Sequence, residues 1–98
     1  MSLPTEIDDA PILLLNRIDK QLHTSTGATV HTVDGEQMEQ PAFLAICKYE
    51  QDEGIYLFYC NRTFNPMNDT YHESIEQAIE QAEFEFEGTK NTWERIEK

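Results

Sequence analysis

Two apolar runs set close together constrain this chain more than any other feature. Ala42-Phe43-Leu44-Ala45-Ile46-Cys47-Lys48-Tyr49 and Ile55-Tyr56-Leu57-Phe58-Tyr59-Cys60 are separated by Glu50-Gln51-Asp52-Glu53-Gly54, a glycine-containing loop of hairpin length. The pattern predicts an antiparallel hairpin. Side chains alternate across a strand, so Ile55, Leu57 and Tyr59 share one face while Tyr56, Phe58 and Cys60 share the other. With apolar bulk on both faces, the strand is either central in a covered sheet or offers one face as an interface.

The rest of the chain supplies two more strands and one helix. Residues 1–10 mix Pro4 with Glu6, Asp8 and Asp9 without periodicity and read as a loose N-terminal arm. Ile12 to Ile18 is an apolar run bounded by Pro11 and Asp19-Lys20; strand is favoured over the first turns of a helix reaching Leu22. His23 to Ala28 is turn chemistry. Thr29 to Val33 is β-branched in four of five positions and ends at Asp34-Gly35, which reads as a second strand and a tight turn. Asn61 to Asp69 is dense in turn formers and reads as a surface loop.

A helix over Ile75–Glu87 is expected after that loop. Ser74 fits the N-cap with Gln77 three residues on, Gly88 fits the C-terminal cap, and Ile75, Ala78, Ile79, Ala82 and Phe86 recur on one helical face. The segment Ala82 to Gly88 also alternates with the period of a strand, but the two caps bracket one continuous helical pattern. Trp93 is expected to pack back on the core. Together these readings predict a single α+β domain spanning residues 1–98. Its antiparallel sheet has about four strands, with the C-terminal amphipathic helix packed on one face.

Charge narrows the partners. The 98 residues carry nineteen Asp plus Glu against seven Lys plus Arg, a formal net charge of −12. Self-repulsion of that size weighs against stability in a small domain and disfavours phosphate-rich partners, so direct binding of nucleic acid or an anionic membrane is not expected. A basic protein surface is the attractive partner. Every apolar run is far shorter than the roughly 20 residues of a membrane span, Pro11 to Leu15 near the start included. Acids precede it where a secretory signal carries positive charge, and a cytoplasmic protein is expected. Cys47 and Cys60 are too few for a disulfide scaffold and read as reduced, small hydrophobes.

On a helical wheel of about 100° per residue, Glu76, Glu80, Glu83 and Glu87 fall in one stripe beside the apolar face. No Lys or Arg stands between Glu73 and Gly88 to relieve their repulsion. Phe84 falls opposite the apolar face, near Glu80, Gln77 and Gln81. An aromatic residue among carboxylates has the form of a docking surface for a basic partner, and Glu76, Glu80, Glu83, Phe84 and Glu87 are the candidate partner-binding residues. The plainer alternative is a solvated helix face with Phe84 packed against Trp93 or the loop of Phe64.

Catalytic and metal signals are thin. Asp69-Thr70-Tyr71-His72 sets a carboxylate three residues before an imidazole, which could be half of an acid-base or metal site; a turn cap and a helix lead-in explain the same residues. His23, His31, Cys47 and Cys60 could be drawn as zinc ligands, but a cysteine spacing of thirteen is foreign to structural zinc sites. No glycine-rich phosphate loop occurs, and neither catalytic residues, a metal nor a cofactor is expected.

From Ile55 onward the chain resembles a class of short bacterial proteins of unknown function. The residues that carry the resemblance are Tyr56-Leu57-Phe58, Asp69-Thr70-Tyr71-His72, Ala78, Ala82, Glu83 and Trp93. The resemblance implies a small sheet covered by the helix and carries over no catalytic residue. In size and charge the chain is also similar to immunity proteins that neutralise interbacterial toxins, an analogy rather than a motif match. The function expected is therefore non-enzymatic binding of a basic protein. Two other readings stand beside it: a structural homodimer joined through the doubly apolar hairpin, and an acidic mimic of nucleic acid in which Glu6, Asp8, Asp9, Asp52 and Glu53 extend the stripe.

Overall fold

A computed structural model describes residues 4–19, 21–26, 32–33, 36–37 and 40–96. Its strands in chain order are β1 (Glu6–Ile7), β2 (Ala10–Arg17), β3 (Thr24–Ser25), β4 (Thr32–Val33), β5 (Glu36–Gln37), β6 (Phe43–Cys47), β7 (Ile55–Cys60), β8 (Pro66–His72), β9 (Phe86–Glu87) and β10 (Glu94–Arg95). The helix α1 covers Ile75–Glu85 and a short 3-10 turn covers Thr89–Asn91. The fold is α+β, as expected, with an antiparallel main sheet in the order β1-β2-β6-β7-β8. That is more than the four strands expected, because the two-residue β1 and the seven-residue β8 join at the two ends and β10 pairs with β2 beside β1.

The hairpin is the centre. All of β6 is buried, and every residue of β7 except Tyr56 is buried. Register places Phe43 opposite Cys60, Ala45 opposite Phe58 and Cys47 opposite Tyr56 on one face; Leu44 opposite Tyr59 and Ile46 opposite Leu57 occupy the other. Each face then meets its own core cluster. The first gathers Ile7, Ala10, Ile12 and Leu15 with those residues, and the second gathers Ala78, Ala82 and Phe86. Both faces of the hairpin are thus used within one chain, and the case for a homodimer joined through a bare sheet face loses its motive.

Residues 1–10 are not a loose arm where they are described. Ile7 pairs with Ala10 across Asp8 and Asp9, whose φ angles of 50° and 66° are those a two-residue hairpin turn with two left-handed residues requires. Asp is among the few residues that tolerate this backbone region. In β2 the strand reading holds, with a bulge between Ile12 and Leu14. That bulge lets Ile12 and Leu15 reach one core cluster while Leu14 serves the other, which is why four apolar residues stand in a row.

The loop expected over 61–69 is overturned in its second half. Pro66–His72 forms an edge strand on β7, with Pro66 at the first position where its missing N–H costs nothing. Asn61 Oδ1 organises the preceding turn by accepting from the Thr63 and Asn65 backbone N–H groups, and Phe64 at φ 65° stacks on Phe43 at 4.1 Å. Of the strand expected over 29–33, Thr32–Val33 pairs with Glu36–Gln37; residues 29–31 and Asp34-Gly35 lie outside the described residues.

The helix starts as expected, with Ser74 Oγ accepting from the Gln77 backbone N–H at 3.1 Å. It ends two residues early. Thr26 N–H donates to the Glu85 carbonyl at 2.9 Å, and the Thr26 hydroxyl donates to the Phe84 carbonyl at 2.6 Å, so the last helical carbonyls are capped from outside. Phe86 then turns extended, pairs with Ser25 and is buried, while Gly88, at φ 101°, opens the 3-10 turn instead of closing the helix. α1 buries Ala78, Ala82 and Glu85. The two alanines and half-buried Ile79 pack on the sheet cluster, while Ile75, expected on the same face, is exposed. Trp93 packs on that cluster, as expected. Its Nε1 is buried with no acceptor among the described residues.

Candidate functional site

Four-residue spacing puts Glu76, Glu80 and Phe84 in one row along α1, and all three are exposed, Phe84 to 58%. Neither packing site considered for Phe84 takes it up. Phe64 lies on Phe43 in the other core cluster, and Trp93 belongs to the covered helix side. The row is therefore two carboxylates leading to an uncovered ring.

The other two residues of the expected stripe do different things. Glu83 is half-buried, and its carboxylate accepts from the backbone N–H of Gly88 at 3.0 and 3.2 Å and of Lys90 at 3.0 Å. It caps the 3-10 turn that follows the helix. Glu87 lies beyond the helix in β9, opposite Thr24, and no longer continues the helical stripe, although it stays exposed.

Beneath this face is a polar network that the sequence reading did not find. Glu85 is buried, and its Oε2 accepts from the Tyr59 hydroxyl and from Gln81 Nε2, the latter at 3.1 Å. Burial, and then the bond to Glu85, pushes the Tyr59 phenol far up. His72 stands on the same sheet face with its Nε2 2.7 Å from the Thr70 hydroxyl, and burial lowers its pKa against the opposing pull of Glu85. A carboxylate held by a phenol and an amide, buried with them, suits holding the helix end on the sheet. Nothing in the spacing of Tyr59 and Glu85, twenty-six residues apart, reveals the pair before the strand register is known.

The catalytic pair considered from sequence does not assemble. Along β8, Asp69 stands opposite Phe58 on one face while His72 stands opposite Ile55 on the other, so the sheet separates them. The zinc set comes apart too. His23 accepts from the Asp19 backbone N–H through Nδ1 at 2.9 Å, and its Nε2 contacts the Thr92 hydroxyl at 2.8 Å, which in turn donates to Asn16 Oδ1. Cys47 and Cys60 are buried and free in the opposite cluster, burial raising each thiol to about 12, and His31 lies outside the described residues. Among the described residues no three His, Cys, Asp or Glu side chains converge to hold a metal.

A second exposed surface stands at the β8 rim of the other sheet face. Tyr56 meets Tyr49 and Tyr71 edge to face, each at 5.4 Å between ring centroids. The Tyr56 hydroxyl donates to Asp52 Oδ2 at 3.2 Å and that of Tyr49 to Asp8 Oδ2 at 3.4 Å. Tyr71 is 59% exposed. Its ring lies over Gly54, where any Cβ would collide with it.

Among the described residues no helix is long and apolar enough to cross a membrane. In comparisons with known proteins, no family model, no curated protein and no solved structure matches this chain.

Proposed function

We propose that this protein is a cytoplasmic, non-enzymatic binding module that docks onto a basic protein surface, in the manner of a toxin-neutralising immunity protein. The observation that carries the reading is the exposed row Glu76, Glu80 and Phe84 on a helix segment without Lys or Arg. An aromatic anchor desolvates on docking, and flanking carboxylates steer a cationic partner and select its register. Glu87 extends the negative field past the helix end. Glu83 belongs to the same surface but has a structural task, so it is the wrong residue to reverse in a test.

The experiment follows from that division. Tagged wild-type protein and the variant Glu76→Lys/Glu80→Lys are compared for capture of basic proteins from the native host. Loss of a captured basic protein by the variant, with its far-UV circular dichroism and melting unchanged, supports the reading. Equal capture by both removes it.

A further inference from the structure

The tyrosine row at the β8 rim has no place in the helix-face reading, and its chemistry is specific. Tyr49, Tyr56 and Tyr71 form a continuous aromatic strip in which neighbouring rings stand at 83° and 73° to each other. Asp8, Asp52 and Asp69 surround it. Asp52 is fixed twice, accepting from the Gly54 backbone N–H at 2.8 Å and from the Tyr56 hydroxyl. Asp69 shares the face with Tyr71, two residues along β8, and is exposed. Burial first, and then these carboxylates, raise the Tyr49 and Tyr56 phenols. Among the described residues β8 ends the order of the sheet, and the strip lies at that rim.

We propose that this strip is a second binding site, for an arginine side chain presented by a protein partner. A guanidinium is planar, weakly hydrated and cationic; it stacks on tyrosine faces while its N–H fork meets carboxylates. An ammonium group, compact and strongly hydrated, uses the carboxylates but gains less from the rings. Fixing the Tyr56 hydroxyl on Asp52 and the Tyr49 hydroxyl on Asp8 holds the rings in place before the ligand arrives, which reduces the ordering cost of binding. Gly54 is part of the site because a side chain there would displace Tyr71.

The site is on the sheet face opposite α1, so it stands or falls independently of the helix-face docking. The test is a nuclear magnetic resonance titration of tyrosine ring signals with the peptide Gly-Arg-Gly-Arg-Gly and its lysine twin. The arginine peptide is expected to shift the ring signals of Tyr49, Tyr56 and Tyr71 and to bind at least about fivefold tighter than the lysine twin. Tyr71→Ala and Asp69→Asn, both at exposed positions, are expected to weaken it about fivefold each. Glu76→Gln/Glu80→Gln, which removes equal or greater charge elsewhere, is expected to leave it within about twofold. Equal affinity for the two peptides, or an equal loss in the helix-face variant, would reduce the effect to general attraction by a −12 protein and overturn the site. Absence of ring shifts overturns it as well.

Discussion

Glu83 separates a residue of the fold from a residue of the surface, and Glu83→Ala tests that division. The carboxylate serves two backbone N–H groups, those of Gly88 and Lys90, at 3.0 to 3.2 Å. Both lie at the start of a 3-10 turn, where the backbone supplies no acceptor. Removing the carboxylate leaves Lys90 free to bond water, because it is exposed, but Gly88 is only half-exposed. One charge-assisted bond is then lost outright and one partly replaced, a cost of about 1–2 kcal/mol. The turn also holds Thr89, whose carbonyl accepts from buried Asn16, so loosening it reaches β2. For a domain of this size the change corresponds to roughly 5–15 °C in melting temperature. Urea unfolding followed by circular dichroism measures it, with Glu80→Ala as the exposed control expected within about 0.5 kcal/mol of wild type. Glu83→Gln, which keeps an acceptor oxygen, should fall between the two. If Glu83→Ala is as mild as Glu80→Ala, Glu83 is a surface acid and the capping argument fails.

Tyr59→Phe removes one of the two hydrogen bonds described for buried Glu85 and is expected to destabilise by about 1–3 kcal/mol in the same urea assay; a loss below about 0.5 kcal/mol refutes the network. Leu44→Ala empties the fully buried centre of β6 and is expected to cost about 2–5 kcal/mol, whereas Leu22→Ala, at a 61% exposed position, is expected to cost less than about 0.5. Cys47 and Cys60 have thiols raised from 9.0 to about 12, so the folded state holds these protons more tightly than the unfolded chain. Their contribution is complete below about pH 9 and is lost as pH rises toward 12, by up to about 1.4 kcal/mol per pH unit per thiol. Urea midpoints from pH 8 to 11 should fall less steeply in Cys60→Ala than in wild type, and parallel slopes refute the assignment.

The sequence disclosed what depends on strong local periodicity. The β6–β7 hairpin and the Ser74 start of α1 needed only alternation and a cap. The short strands were hidden because their pairing is decided by partners elsewhere: Phe86 leaves the helix to meet Ser25, and Asp8-Asp9 turns because Ile7 finds Ala10. β8 was hidden for a different reason. An edge strand with mostly half-exposed residues has no burial pattern to display, and Asn65-Pro66 and Asn68-Asp69 imitate a loop. The candidate surface was legible in outline, since Glu76, Glu80 and Phe84 share a row by spacing alone. Glu83 could not be told from them, because its capping contacts run to Gly88 and Lys90 across a turn that the helical pattern did not foresee. The tyrosine strip required the β7–β8 register, which sets Tyr71 opposite Tyr56.

The most direct measurement is the affinity of a captured basic partner for wild type, Glu76→Lys/Glu80→Lys and Phe84→Ala by isothermal titration calorimetry. Docking through the helix row requires at least about a tenfold loss in each variant with unchanged melting. Equal affinity across the three proteins would contradict it.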